Sequence, residues 1–293
     1  MLTGIALHST AVKHASLTKQ IKIAQTLGYD CLEITRDKIF DYLADGYTEA
    51  DLQALTADLK IAGVGWVADA ERTGSDWNTL VQQAREVFHI ANLVHAESVQ
   101  LLTGPIDVNA VLAHHDGTPY QGYQATLDLP EEQRIEQLAN NVGKLADIAA
   151  EYDLCVYLEP LGWASVNSAV QGAKAVELAN RENAGVLIDF FHCYAAGDTP
   201  KDIAKLNAKY IRGIHISDSL PCAPDEIAIE SVIRNVALGD GVLNLEKWIS
   251  AVRATGYDGW WCSEVFGRKL YQQDPTQVSA HLLKQMQSLL GAG

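Results

Sequence analysis

Glu159, Asp189, His215 and Glu264 are four hard ligands that each sit at the end of a short apolar run, in YLEP, LIDF, GIHI and CSEV. Taken singly, a strand-end acid is ordinarily a helix cap or an ion-pair partner, and a strand histidine is ordinarily a hydrogen-bonded core residue. Four on successive runs are different, because groups at the same end of neighbouring strands converge. Carboxylates a few ångströms apart in a low-dielectric pocket cannot all ionise unless a cation lies among them, so the set points to one divalent metal ion. Three carboxylates, one imidazole and no thiolate favour Mn2+ first, with Mg2+ or Co2+ as other six-coordinate occupants. Zn2+ is a further occupant, although the set fits a tetrahedral structural zinc less well. In VLIDFFH, His192 follows Asp189 by three residues. In a straight strand the two would face opposite sides, so a shared site requires the chain to turn at Phe190 and Phe191.

The elements that must position these groups are legible as a regular alternation. Apolar runs cover 3–9, 31–35, 62–68, 98–104, 155–160, 185–190, 211–217 and 260–265, with helix-period segments between them. Thr199 before Pro200 and Asp274 before Pro275 read as helix starts, and Thr48 with Asp51 reads as a capping box. Glycines in TLGYD, IAGVG and ATGYDG read as helix stops. Eight βα units without a composition break predict an α/β chain that forms a single (β/α)8 TIM barrel over 1–293, with a long loop insertion around 105–129. A doubly wound open sheet is the alternative, but LHSTAVKHAS after the first run holds no glycine-rich phosphate loop. In a parallel barrel the active site forms at the C-terminal strand ends, which is where the four ligands fall.

Composition narrows the function classes. The chain has 293 residues, 48% hydrophobic and 20% charged, and a formal net charge of −15. That charge disfavours nucleic acid and anionic membrane as partners. Five cysteines without a CxxC pair suit a reducing compartment, and no apolar run reaches transmembrane length, so a cytoplasmic location is expected.

With these residues in hand, the chain resembles the sugar phosphate isomerase/epimerase family of xylose isomerase-like TIM barrels. The motifs are YLEPLG, LIDFFHCYAAG, GIHISDS, CSEVFGR and the stretch RNVALGDGVLNLEKW; the first four strands match only in layout. The resemblance implies that Glu159, Asp189, His215 and Glu264 bind one metal ion and that His192 and Arg234 contact substrate oxygens. It implies a small sugar, keto-sugar, sugar phosphate or polyol-ketone as substrate, and a homodimer or tetramer. The chemistry would be enediolate formation, with Glu159 and Glu264 as the proton carriers in epimerisation or isomerisation. Loss of a β-hydroxyl instead would give a dehydratase of inosose or 3-dehydroshikimate type. An endonuclease IV-like phosphodiesterase is the remote alternative, lacking here the further histidines and basic groove that such chemistry uses.

Weaker claims attach to other strand ends. His8, Glu33, Arg36, Trp66 and Gln100 point to the same rim. Trp66 could stack on a sugar face, although filling the barrel is the commoner role. Arg36, Arg234 and Arg268 are the guanidinium groups that could take a phosphate or carboxylate, and Arg268 reads equally as a cap on the eighth strand through a surface salt bridge. Asp218 is expected to orient His215 or Arg234. His114 and His115, within the 105–129 insertion, read as a solvated pair.

Overall fold

Eight strands alternate with helices: β1 Gly4–His8, β2 Cys31–Thr35, β3 Ile61–Val67, β4 Ser98–Leu102, β5 Cys155–Glu159, β6 Ala184–Asp189, β7 Ile211–Ile216 and β8 Trp260–Ser263. Each pairs in parallel with the next, and β1 pairs with β8, so the sheet closes into a (β/α)8 barrel and the doubly wound alternative is overturned. This computed structural model describes residues 2–223 and 226–291. Residues 1, 224, 225, 292 and 293 of the expected 1–293 span lie outside the described residues.

The strands read as continuous apolar runs because both faces are covered. Outward residues such as Ile34, Val64, Leu101, Val156, Val186, Ile188 and Ile214 pack with Phe88, Leu145, Trp248 and Leu282 of the surrounding helices. Inward residues form a separate cluster of Ala6, Cys31, Ala62, Tyr157, Leu187, Trp260 and Cys262. Small residues on some strands leave room for large ones on others. A Cβ at Gly63 would overlap the Tyr157 ring, and one at Gly213 would overlap the Trp260 indole. Gly63 therefore serves the barrel interior within β3, which corrects its reading as a helix stop.

Because side chains alternate with a period of two, the layering follows from sequence spacing. Tyr157, Leu187, Gly213 and Cys262 each lie two residues before Glu159, Asp189, His215 and Glu264. The first set fills the barrel and the second caps it. Other local expectations hold: Thr48 and Asp51 form the capping box, Asp274 Oδ1 accepts from Thr276 and Gln277 amides, and Gly28 ends its helix at φ 78°. The 105–129 insertion is not loop throughout, since Val108–Asp116 is a helix carrying His114 and His115 in its last turn. Among the described residues no helix is long and apolar enough to cross a membrane. Cys31, Cys155, Cys193 and Cys262 are free thiols.

Candidate active site and metal centre

The expected cluster forms at the C-terminal mouth of the barrel. One ligand atom each from Glu159, Asp189, His215 and Glu264 lies within 4.8 Å of all the others, and all four residues are buried. Glu159 and Asp189 end β5 and β6, His215 lies within β7, and Glu264 follows β8 by one residue. His215 aims Nδ1 at the carboxylates: 3.1 Å from Glu264 Oε2, 3.4 Å from Glu159 Oε1 and 3.8 Å from Asp189 Oδ2.

The turn required after Asp189 is a helix. Phe190–Ala195 starts directly at the strand end, and Asp189 is its N-cap, accepting from the His192 amide at 2.9 Å through Oδ1. Ser217 Oγ donates to the same oxygen at 3.0 Å, leaving Oδ2 to face the centre. Helical backbone brings His192 round to the side of Asp189. His192 Nδ1 accepts from the Gly162 amide at 3.0 Å, which places the ring proton on Nε2, 3.9 Å from Glu159 Oε1.

Arg234 enters from the short helix Glu230–Ile233 and its C-terminal end. Its Nη2 donates to Asp189 Oδ2 at 2.6 Å and to Glu264 Oε2 at 2.7 Å, while Nη1 donates to Glu230 Oε1 at 2.8 Å. Nη1 also lies 3.4 Å from His192 Nε2. Since His192 carries its proton there, the two groups are both donors and share no acceptor between them.

Electrostatics sort the two glutamates. Burial pushes Glu159 up to about 8, only partly offset by the His215 charge. Burial opposes ionisation of Glu264 too, but the Arg234 and His215 charges outweigh it and hold the carboxyl well below its usual range. His215 is raised well above an ordinary histidine: burial opposes its charge, and neighbours including Cys262, Glu33, Glu264 and Glu159 overcome that. Burial lowers His192 to about 4 and also lowers His8. The positive charge beside the carboxylates thus comes from Arg234 and His215, while His192 and His8 are pushed toward the neutral form, and Glu159 Oε1 is buried with no hydrogen-bond partner. That orphaned oxygen, among two further carboxylates and a ring nitrogen, fits a divalent cation.

A cavity of about 420 Å³ opens above the centre, lined by Glu159, Glu264, His192, Arg234, His8, Trp66 and Gln100 among others. His8 Nδ1 accepts from the Thr10 amide at 3.2 Å, and Nε2 lies 3.7 Å from Glu264 Oε1. Gln100 Nε2 donates to Glu159 Oε2. Trp66 is only half-buried and faces the cavity, with the Arg36 guanidinium 5.4 Å from its ring, so it lines the site and does not fill the barrel.

Three expectations are corrected. Asp218 orients neither His215 nor Arg234; it accepts from the amides of Ser219, Gly239, Gly241 and Leu243, holding the Gly-x-Gly loop. The three arginines do not converge: Arg36 donates to the Trp66 carbonyl at 2.9 Å, and Arg268 is exposed and bonds Ser231 and Asn235. Glu33 does not reach the rim but lies beneath His215, with Oε2 2.8 Å from its Nε2. Glu230 and Trp163 are lining residues that spacing alone did not single out. Glu230 had one usable signal, its position four residues before Arg234 on a helical stretch.

A model of the xylose isomerase-like TIM barrel matches residues 21–289. The chain belongs to that family. An inosose isomerase of Halalkalibacterium halodurans is 25% identical over 276 residues, covering 90% of this chain and 88% of the relative. A Bacillus cereus inosose dehydratase is 26% identical over 153 residues, 49% of each protein. A solved IOLI protein with a bound zinc atom superposes with a TM-score of 0.83 at 18% identity, covering 98% of both chains. The two curated relatives are named as enzymes, and the solved IOLI protein shares the barrel described above.

Proposed function

We propose that the protein is a divalent-metal-dependent isomerase or epimerase of a small, uncharged keto-polyol. The observation that carries the reading is the buried four-ligand cluster with its unpartnered Glu159 oxygen at the floor of a sugar-sized cavity. Glu159, Asp189, His215 and Glu264 would hold the ion, with Mn2+ preferred on the donor set. When bound, the ion would supply Lewis-acid polarisation of a substrate carbonyl, which acidifies the C–H of the neighbouring hydroxyl-bearing carbon.

The remaining work belongs to side chains. Glu159 and Glu264 are the proton carriers: one takes the carbon-bound proton, and the other delivers one to the opposite face or the adjacent carbon. The pair ends the cycle with protonation states exchanged, so it must equilibrate with solvent before the next turnover. The substrate oxygen that gains charge supplies the acceptor that His192 Nε2–H and Arg234 Nη1 lack between them. His8 Nε2 presents a further donor beside Glu264, and Trp66, Trp163 and Phe266 offer flat apolar walls to the C–H faces of a ring.

The lining supports an uncharged substrate. Asp37, Asp41, Glu159, Glu230 and Glu264 face Lys13, Lys38 and Arg234. Lys38 is committed to the Val12 and Ala15 carbonyls, and Arg234 to three carboxylates. Among the described residues that line the cavity, no guanidinium is left to fork a phosphate.

The test is metal analysis of the wild type and the Glu159→Gln/Glu264→Gln variant, followed by incubation with cyclic and open-chain keto-polyols in D2O. One divalent ion per chain, lost in the variant, with deuterium entering recovered substrate and isomer, supports the reading. Absence of metal from the wild type sinks it. Loss of water from the product would move the assignment to a dehydratase.

A further inference from the structure

We infer that Glu33 is a positioning residue that fixes the ring of His215 in the one tautomer able to ligate the metal ion; this rests on the metal-dependent reading above. Glu33 stands on the inner face of β2, is 1% exposed and does not line the cavity, so it cannot touch substrate. Both of its oxygens are assigned by the fold. Oε2 meets His215 Nε2 at 2.8 Å and Oε1 accepts from the Tyr157 hydroxyl at 2.5 Å. Cys262 Sγ adds a weaker contact to Oε2 at 3.4 Å.

The consequence is chemical. An imidazole can offer a lone pair at one nitrogen while the other keeps its proton, and which is which depends on the partner. A carboxylate at Nε2 keeps the proton there, directing the Nδ1 lone pair at Glu159, Asp189 and Glu264 and making it a stronger donor to a cation. It also opposes rotation of the ring, which would take Nε2–H away from the Glu33 carboxylate. Tyr157 locks Glu33 in turn, and its ring has space only because β3 carries Gly63 at that point. The line of support therefore runs from β3 through β5 and β2 to a ligand on β7.

A charged side chain placed among Ala6, Cys31, Trp260 and Cys262 is costly unless it is paired. A rival account exists for the same atoms, since His8, Glu33 and His215 also lie close enough to hold a second ion of their own. In that case His215 would have to give up its Nε2 proton and bridge two ions.

The experiment titrates metal-free wild type, Glu33→Gln, Glu33→Leu and Tyr157→Phe with Zn2+ alone against a competing chelator, and reads the His215 ring by 15N NMR. The expected result is one ion per chain throughout, with affinity weakened about 10-fold in Glu33→Gln and about 100-fold in Glu33→Leu. Tyr157→Phe should weaken it by a few-fold. The zinc-loaded wild type should show a protected Nε2–H, and Glu33→Leu should lose it while keeping the secondary structure of the metal-free protein. Should Glu33→Leu fail to fold, Glu33→Gln and Tyr157→Phe carry the comparison. Unchanged affinity and an unchanged His215 tautomer would overturn the inference and leave the metal site standing. Two ions in the wild type with one lost in Glu33→Gln would overturn it in favour of the second-ion account. No zinc bound by the wild type would bring down both the inference and the functional reading.

Discussion

Two groups of buried carboxylates stand on the rim of this barrel, and they differ in what claims their oxygens. Asp69 and Glu71, in the loop after β3, are fully engaged by the chain. Asp69 accepts from the Ile106 amide at 2.8 Å and from Arg72 at 2.6 Å. Glu71 accepts from the Gly104 amide at 3.0 Å and the Tyr123 hydroxyl at 3.2 Å. These acids staple the loop after β3 to the segment after β4 and to the 105–129 insertion. The acids at the ends of β5, β6 and β8 are held instead by Arg234 and His215, and Glu159 keeps one oxygen without a partner. Buried acids whose oxygens are all taken by neighbouring donors build loops; buried acids that converge on shared cationic side chains and leave an oxygen unpartnered retain capacity for a ligand.

The sharpest way to break that contrast is to neutralise each group in turn. Glu159→Gln with Glu264→Gln should abolish metal retention and lower turnover by about 10³-fold or more, read by elemental analysis and isotope exchange. A Glu71→Gln variant should leave both intact. Asp189→Asn comes next, since it strips a charge from the buried Arg234 ion pair. Urea unfolding of the metal-free protein should show about 3 kcal/mol lost.

The effect at Glu71 depends on pH. Burial raises its folded value to about 7 from 4.5. As pH rises between those values, the unfolded chain releases the proton first, so the wild type loses stability across that window and remains penalised above it. Glu71→Gln lacks this slope and should be more stable than wild type by about 1–2 kcal/mol at pH 8, with the gain vanishing below pH 4.5. A gain independent of pH would mean that the carboxyl is not the origin. At the small end, Thr48→Ala removes a surface cap and should cost about 1 kcal/mol with metal affinity unchanged. Arg268→Ala should alter stability by less than about 0.5 kcal/mol and leave substrate affinity unchanged, because its bonds lie outside the cavity.

Much of this was readable beforehand in the second half of the chain and little in the first. Glu159, Asp189, His215 and Glu264 announce themselves because each polar residue interrupts an apolar run at its end, a strictly local signal. Glu33 interrupts a run in the same way, yet its role depends on Tyr157, 124 residues away, and on His215, 182 residues away. Asp218 sits in the motif beside His215, and proximity in sequence suggested a partnership that the backbone amides of the Gly-x-Gly loop took instead. Arg36 and Arg268 were equivalent to Arg234 as residue types and were separated only by where their loops run.

What the amino-acid order determined by itself is everything set by short-range rules: strand and helix alternation, the caps at Thr48 and Asp274, the period of two that stacks ligands above barrel-filling residues, and the types of donor delivered to the rim. Closure of the sheet decided the rest. Only when β1 meets β8 do the inner faces of opposite strands come within hydrogen-bonding distance, so that Glu33 lies under His215, Tyr157 fits into the space left by Gly63, and Arg234 reaches Asp189 and Glu264 together. Those contacts depend on curvature and shear, which are properties of the whole barrel and are written in no single segment of it.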